Sequence, residues 1–324
     1  MSVYLHDIPL SQAQARLREA LQDAGLWRVL GVESIPLDEN ALGRVTAEPI
    51  WAMVSSPHYH ASAMDGFAVI ADSTNGAQPS YPISFALEEK SAQYLDTGDP
   101  LPDWANAVIP IENVESLDDN GQVTKDIRGP ISIRIRAAVA PWSHVRPLGE
   151  DIVATQLVLP TGHTLRPADL GAIAASGHQE IKVARRPKVA ILPTGTELVP
   201  IGSKLKSGDI LEYNSLVMAA QIKAMGGEST RYPITKDDFD MICQQVQKAA
   251  QTHDLILLNA GSSAGAEDFS SKVVEKLGTL LVHGVAVRPG HPVILGIINR
   301  ESENLQSSTF NLIPIVGVPG YPVS

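Results

Sequence analysis

Two loop sequences in the C-terminal half combine residue types that bind anions and cations. The first is the Gly/Ser-rich segment Gly261–Asp268, which follows the apolar run Leu255–Leu258 and ends in two acids. The second is the segment Arg288–Pro292, which follows the apolar run Leu280–Val287. A strand that ends in a Gly/Ser loop presents free backbone N–H groups, and neighbouring acids suit a phosphate together with a divalent cation. If the two strands are adjacent, their loops form a pocket for a phosphorylated ligand.

Both loops also have an ordinary structural interpretation. Gly261–Asp268 lacks the Lys-Ser/Thr of a P-loop, so alone it also fits a strand-to-helix turn in which Asp268 starts the helix. The pair Asp237-Asp238 carries the same ambiguity. In the second loop, two prolines and a glycine fix an irregular backbone between two potential cations, Arg288 and His291. A rigid basic turn at a strand end favours oxyanion recognition.

Two turns in the N-terminal half also carry charges. Ser62–Ala68 places Asp65 between apolar residues, where the alternative to a functional acid is an Asx-turn. Arg146–Asp151 sets an arginine and two acids around a turn, where the alternative is an internal ion pair. His58 and His60 share one face of an extended segment, but no third ligand lies nearby, so a metal site is not expected there.

Composition limits the class of partner. The chain has 324 residues, which predicts two or three domains, and a net charge of −11. The excess of acids lies in residues 1–184, with 12 basic and 23 acidic residues, whereas residues 185–324 hold 13 of each. An acidic protein lacks the basic face that nucleic acid requires. No apolar run approaches the roughly 20 residues of a membrane span, and the single cysteine, Cys243, fits a reducing cytoplasm.

Hydrophobic periodicity predicts an α/β fold for the C-terminal half. From Arg185 onward a strand at 189–192 is followed by helices at 214–225, from Asp237 or Asp238 to Ala250, and one headed by Asp268. This alternation predicts an open, mainly parallel sheet covered on both faces, with ligands bound beyond the carboxyl ends of its strands. The N-terminal half predicts helices at 11–24, 38–44 and 167–176, and a β-rich stretch from about 51 to 145.

Taken in order, these segments resemble the molybdenum insertase family, the molybdopterin molybdenumtransferases. The family's Ser-Ala-Met-Asp-Gly-Tyr-Ala is matched at Ser62–Ala68, with Phe67 for Tyr, and its Arg-x-x-Gly-Glu-Asp at Arg146–Asp151. A Thr-Gly stretch is matched loosely from Thr97-Gly98 onward. Thr-Gly-Asp-Glu-Leu corresponds to residues 194–198, and Ser-Gly-Gly-x-Ser-x-Gly-x-x-Asp to residues 259–268.

Two motifs depart from the family pattern. Lys-Pro-Gly-Lys-Pro reads Arg288–Pro292 here, so Arg288 and His291 stand where the family has lysines. Gly-Leu-Pro-Gly-Asn-Pro-Val-Ser reads Gly317–Ser324. Family members continue into a small β-rich fourth domain, which this sequence is expected to lack.

The resemblance implies an elongated, multidomain architecture. Residues 185–324 are expected to form a three-layer α/β molybdopterin-binding domain, against which a helix within residues 1–25 packs. Residues 26–53 and 148–184 are expected to form a linking domain that carries a β-rich insert, residues 54–147. The family also implies a homodimer whose active site lies between the α/β domain of one subunit and the insert of the other.

The resemblance further implies insertion of molybdate into adenylylated molybdopterin, with Mg²⁺ and release of AMP, by a cytoplasmic enzyme. Arg288 and His291 would hold molybdate, and Asp238 and Asp268 would hold Mg²⁺. The implied catalytic residues are Asp65, Asp151, Asp268, Arg288 and His291. The implied substrate-binding residues are Thr97, Gly98, Arg146, Glu197, Gly261, Ser262, Ser263, Gly265, Pro292 and Ser324.

Alternatives to an active insertase remain open at this point. Loss of both lysines and of the fourth domain favours a degenerate protein that binds pterin nucleotide without turnover. Some relatives with this domain act as structural scaffolds. The α/β domain also resembles that of the related adenylyltransferase step, but residues 26–184 have no counterpart in that protein.

Overall fold

The computed structural model describes residues 7–87, 91–259, 269–300 and 312–320. The α-helices are α1 (Leu10–Asp23), α2 (Pro167–Ala175), α3 (Asn214–Ala224), α4 (Phe239–Ala250) and α5 (Phe269–Leu277). Short 3-10 helices span Glu39–Ala41, Ala71–Thr74 and Ile111–Asn113. Within the described ranges, no helix is long and apolar enough to cross a membrane.

The strands are β1 (Val32–Pro36), β2 (Ile50–Trp51), β3 (Ala61–Ser62), β4 (Gly66–Val69), β5 (Ile83–Ala86), β6 (Ala92–Leu95), β7 (Ala107–Pro110), β8 (Val114–Leu117), β9 (Ser132–Ile135), β10 (Val145–Arg146), β11 (Leu157–Leu159), β12 (Glu180–Ala184), β13 (Lys188–Pro193), β14 (Leu198–Val199), β15 (Ile210–Leu211), β16 (Glu228–Arg231), β17 (Leu255–Asn259), β18 (Gly278–His283), β19 (Ile294–Asn299) and β20 (Leu312–Val318). The chain divides into two compact units, residues 34–183 and residues 1–33 with 184–324.

The second of these units, here called the α/β unit, is built on a six-stranded sheet in the order β16-β13-β17-β20-β19-β18. β13 pairs in parallel with β16 and β17, and β17 pairs in parallel with β20. β18, β19 and β20 are joined by antiparallel pairings. The predicted α/β fold class is therefore confirmed, with an antiparallel edge added to a mainly parallel sheet.

Helices cover both faces of this sheet. Ile294 and Ile298 of β19 are buried in a core shared with α4 and α5, whereas Leu295 is buried in a core shared with Ala13 of α1. Since successive side chains of a strand point to opposite faces, α1 lies on the face opposite α4 and α5. The lone Cys243 packs against the α4–α5 core, and burial raises the pKa of its thiol, so it acts as a packing residue.

The other unit, here called the β-rich unit, contains a small core around Ala68, Leu95 and Val108 and two larger cores. One joins Ile50, Leu159 and Ile173 around β2, β11 and α2. The other fills the space between the three-stranded sheets β6-β4-β7 and β5-β9-β8, with Phe67 and Ile133 fully buried in it. The two larger cores fall within the predicted linking and inserted parts respectively, and the division between those parts stays a prediction.

Predicted elements and observed ones differ mainly at their ends. The helix predicted at 11–24 spans Leu10–Asp23, and the one predicted at 167–176 is α2. The short helix predicted at 38–44 is a single 3-10 turn, started by the Asp38 carboxylate accepting from Asn40 N at 2.8 Å. Asp238 caps α4 as one of the two predicted alternatives.

The entry into the α/β unit is fixed by a half-buried ion pair. Arg185 Nη1 and Nη2 each donate to Asp254 at 2.9 Å, and Lys188 N donates to the same carboxylate at 2.8 Å. Burial acts to raise the pKa of the Asp254 carboxyl, but these hydrogen bonds outweigh it and leave the pKa lowered. The stabilisation is therefore present above the unfolded-state pKa and is lost as pH falls through the lowered value.

We expect Arg185→Met to lower the free energy of unfolding by about 2 kcal/mol at pH 7, because Asp254 is left half-buried without its cation. The difference from wild type should shrink below about pH 4, where Asp254 becomes protonated. Chemical denaturation at several pH values measures both effects. The control is Lys182→Met, whose ion pair with Glu48 is exposed and should contribute about 0.5 kcal/mol or less. Equal losses in the two variants would contradict the assignment.

Candidate functional site

The polar loops of the α/β unit lie at one edge of its sheet. β13, β17 and β20 are parallel, so the segments that follow Pro193, Asn259 and Val318 all leave the same edge. β18 runs in the same direction, because it is antiparallel to β19, which is antiparallel to β20. The predicted location of the ligand-binding loops, at the carboxyl ends of the strands, matches this geometry.

The loop after β13 is held by reciprocal hydrogen bonds. Thr196 N donates to Asp237 Oδ2 at 2.8 Å, and Asp237 N donates to Thr196 Oγ1 at 3.3 Å. Gly195 N donates to Thr235 O at 3.0 Å. Gly195 has a φ of +153°, and a Cβ there would lie 2.9 Å from Leu198 Cγ and 3.0 Å from Glu197 Oε2. Glycine is therefore required at this position, and it lets the carboxylate of Glu197 fold back over the loop.

Asp238 has a structural role that the sequence left open. Its Oδ1 accepts from Met241 N at 2.8 Å and so caps α4. Its second carboxylate oxygen has no hydrogen-bond partner among the described residues. The other predicted Mg²⁺ ligand, Asp268, lies outside those residues, and no group of three metal-binding side chains occurs within them. The described part of the chain thus contains one of the two predicted ligands and does not by itself assemble a magnesium site.

Arg288–Pro292 lies in the connection between β18 and β19. Gly284 N donates to Val293 O at 2.9 Å and Val285 N donates to His291 O at 2.8 Å, which closes the base of the connection. The guanidinium of Arg288 is exposed, and neither it nor the His291 ring is hydrogen bonded or ion paired within the described ranges. A basic turn with a fixed base and unengaged side chains suits an anion.

The strands before the two loops are not adjacent, so the condition for a pocket formed by neighbouring strand ends is not met. β17 and β18 are separated by β20 and β19, which places their ends about 14 Å apart at ordinary strand spacing. The reason is that the chain turns back after His283 as an antiparallel pair, and β20 then inserts next to β17. The predicted residues Gly261, Ser262, Ser263, Gly265, Asp268 and Ser324 lie outside the described residues.

Two asparagines at this edge were not predicted as site residues from the sequence. Asn259 ends β17 and Asn214 begins α3, and both are buried. The Oδ1 atom of each is buried without a hydrogen-bond partner, while Asn214 Nδ2 donates to Gly320 O at 3.0 Å. Buried polar atoms are normally satisfied, so these two acceptors are candidates for contact with a further donor at this edge. The signal was an asparagine at the end of an otherwise apolar strand.

In the β-rich unit, the structure brings together three predicted residues, Asp65, Thr97 and Gly98. Thr97 N and Thr97 Oγ1 both donate to Asp65 Oδ1 at 2.7 Å. Gly98 N donates to Ser62 O at 2.8 Å, which anchors the loop that carries Thr97. These bonds engage one oxygen of Asp65 and leave the other available to a ligand.

Asp65 is positioned by a close approach of two strands. It precedes Gly66, where β4 pairs with both β6 and β7, and a Cβ on Gly66 would lie 2.1 Å from Ile109 O. Only glycine fits between these strands. The hydrogen bonds from the side chain and backbone of Thr97 lower the pKa of the exposed Asp65 carboxyl, so it is an ionised acceptor at neutral pH.

The predicted residues Arg146 and Asp151 also meet in the β-rich unit. Arg146 Nε donates to Glu150 Oε2 at 2.6 Å, and Arg146 Nη2 donates to Asp151 Oδ2 at 3.3 Å. β10 pairs with β3, which places Arg146 opposite Ala61. The internal ion pair considered from the sequence is therefore present, but its members are exposed and accessible to an anionic ligand.

A parallel α/β unit with polar loops at its carboxyl edge, joined to a β-rich unit with an ordered carboxylate, defines a multidomain ligand-binding protein. Residues 8–177 match the family model described as "MoeA N-terminal region (domain I and II)", and residues 190–324 match "Probable molybdopterin binding domain". The chain therefore belongs to the MoeA family, as its motifs predicted.

Individual relatives agree with this family. Molybdopterin molybdenumtransferase 2 of Mycobacterium tuberculosis is 32% identical over 93% of this chain and 73% of its own length. Molybdopterin molybdenumtransferase of Haemophilus influenzae is 29% identical over 98% and 74%. A crystal structure of the molybdopterin biosynthesis MoeA protein from Pyrococcus horikoshii superposes with a TM-score of 0.78 and 30% identity, covering 98% of this chain and 76% of that one. This chain thus spans about three quarters of the length of these relatives.

We expect Thr97→Val to raise the pKa of Asp65 towards the ordinary value of an aspartate, because one of the two donors to Oδ1 is removed. Thr97→Ser keeps the hydroxyl and should keep the lowered pKa. Carboxyl ¹³C NMR titration of Asp65 in the three proteins measures the effect. A pKa that is the same in all three would show that the Thr97 hydroxyl does not set the state of Asp65.

Proposed function

We propose that this chain is a molybdopterin molybdenumtransferase of molybdenum cofactor biosynthesis, which inserts molybdate into adenylylated molybdopterin and releases AMP. The observation that carries the proposal is the match of nearly the whole chain to relatives that bear this name. The site geometry agrees with it, since the loops at the carboxyl edge and the ordered Asp65–Thr97 pair occupy motif positions of the family.

Arg288 is the residue we propose as the main molybdate contact. Molybdate is a small oxyanion, and an exposed guanidinium on a closed turn offers paired N–H donors to it. His291 lies in the same turn, half-buried, with Pro292 following it. Arginine and histidine in place of the family lysines retain N–H donors for an anion, so these two substitutions are compatible with an active enzyme.

The remaining predicted residues are proposed to bind and orient the pterin nucleotide. Glu197 and the Gly261–Gly265 loop would contact it at the carboxyl edge of the sheet. Asn214 and Asn259 are added to this set because their buried Oδ1 atoms lack partners in the described ranges. Asp65 and Asp151 would act as acceptors and Arg146 as an anion contact, each already held by a neighbouring hydrogen bond.

Mg²⁺, a homodimer and a cytoplasmic location complete the proposal. Mg²⁺ would be held by Asp238 and Asp268, and as a hard cation it suits carboxylate oxygens and neutralises phosphate charge. A cytoplasmic location is supported by a single, half-buried cysteine. The homodimer is supported by the resemblance, and the mass of the protein in solution tests it.

Purified wild-type protein should convert adenylylated molybdopterin and molybdate to molybdenum cofactor and AMP. Arg288→Ala should raise the KM for molybdate about tenfold or more, because a charge-assisted contact is lost, and should change the KM for the pterin nucleotide less. The control is Arg16→Ala on the exposed face of α1. Binding of the nucleotide without any AMP release by wild type would reject the transferase in favour of the binding protein.

Asp238→Asn separates the capping role from metal binding. Asparagine caps a helix about as well as aspartate, so the melting temperature should change little. Loss of the charged oxygen should raise the Mg²⁺ concentration that gives half-maximal turnover by about tenfold. Turnover as a function of Mg²⁺, alongside thermal unfolding, measures both. An unchanged Mg²⁺ dependence would mean that Asp238 is a helix cap only.

A further inference from the structure

Arg128 reaches the Asp65 site from a loop that none of the family motifs includes. In the register of β4 and β6, Gly66 pairs with Leu95. Asp65 and Asp96, each one residue beyond that pair, therefore lie at the same end of the two strands. Arg128 Nη2 donates to Asp96 Oδ1 at 3.1 Å and to Oδ2 at 3.4 Å. A guanidinium thus stands at the strand end that carries the proposed acceptor Asp65.

Further contacts orient both partners of this ion pair. Tyr94 Oη donates to Asp96 Oδ1 at 2.8 Å, and the Arg128 guanidinium lies 5.8 Å from the centroid of the Tyr94 ring. Arg128 N and Gly129 N both donate to Asp126 Oδ1, at 3.2 and 3.0 Å. The loop backbone is therefore an ordered turn, and the guanidinium is oriented by a carboxylate and an aromatic face.

The Arg128 side chain retains hydrogen-bond donors that a ligand could use. It is 71% exposed and its partner Asp96 is 46% exposed. Its two hydrogen bonds to Asp96 both come from Nη2, and the Tyr94 hydroxyl is a second neighbour, which leaves N–H groups of this five-donor side chain for a further acceptor. Arg136 in the same unit differs, because its Nε and Nη2 donate to Glu115 and its Nη1 donates to Pro79 O. An exposed ion pair such as Arg128–Asp96 adds little stability, so stability does not explain its geometry.

The carboxylates around Asp65 repel an approaching anion, and the positive charge of Arg128 opposes that repulsion. Asp65, Asp96 and Arg128 together carry a net charge of about −1 when all are ionised. Asp99 adds a further carboxylate, whose Oδ2 accepts from Asp96 N at 2.9 Å. An anion at this strand end is therefore repelled unless the guanidinium faces it.

We propose that Arg128 is an additional phosphate-binding residue of the Asp65–Thr97 site. Without ligand its guanidinium is held by Asp96, and with ligand its free N–H groups donate to a phosphate ester oxygen. The inference rests on the proposed function, since it identifies the bound group as the phosphate of the adenylylated substrate or of AMP.

The test compares AMP with adenosine, which lacks the phosphate, by calorimetric titration of the full chain. Wild type should bind AMP more tightly than adenosine. Arg128→Ala should weaken AMP binding about tenfold and leave adenosine binding unchanged, since one charge-assisted contact is lost. Asp96→Asn should strengthen AMP binding about two- to threefold, because the guanidinium is released from a competing carboxylate and one repulsive charge is removed.

The matched control is Arg136→Gln, which removes an equal charge from the same unit and should leave AMP binding within about twofold of wild type. Equal weakening in the Arg128 and Arg136 variants would overturn the proposal in favour of a general charge effect. Unchanged or weaker AMP binding in Asp96→Asn, or a wild type that binds AMP no more tightly than adenosine, would also overturn it. Turnover of wild type is measured separately, so loss of the transferase assignment and loss of the Arg128 assignment give different results.

Discussion

Parallel pairing of β13, β17 and β20 is the constraint on which the arrangement of the α/β unit depends. Two adjacent parallel strands cannot be joined by a tight hairpin, so the chain must pass over a face of the sheet to return. Here helices such as α3 and α4 make these connections. All carboxyl ends then leave one edge. Strand direction alone brings three distant segments to that edge: the Thr194–Glu197 loop, Asn259 and Gly320. Thr194 and Gly320 are 126 residues apart in the sequence.

The β-rich unit solves the positioning problem differently. Its strands are short and antiparallel. The close approach of neighbouring strands positions its polar residues, where the α/β unit uses helical crossovers. Gly66 lets β4 lie against β7, and the same strand pairs with β6 on its other side. The residues just beyond these pairings, Asp65 and Asp96, are consequently fixed by backbone hydrogen bonds and not by their own packing. The side chains can therefore remain exposed to a ligand while the backbone that carries them stays rigid.

Local patterns predicted much of the fold, and long-range pairing accounts for what they missed. The strand at 189–192 and the helix capped by Asp238 follow from an apolar run and an N-cap signal that act within a few residues. The order β17-β20-β19-β18 depends on which strands, distant in sequence, pair with each other. Local sequence patterns do not predict such pairing. For the same reason the motifs located Asp65 and Thr97 separately, whereas their hydrogen bonds required the register of β4 and β6. Arg128 was overlooked because it lies between motifs in a polar loop.

The outer strand β16 bears on how copies of this protein can associate. It forms one edge of the six-stranded sheet, its sequence Glu228–Arg231 is polar throughout, and three of its residues are exposed. An unpaired strand edge can pair with a strand of a second sheet, and charged side chains along the edge oppose this because pairing would remove them from water. Growth of the sheet from one molecule into the next is thereby discouraged at β16. Such protection also opposes fibre formation from that side of the folded protein.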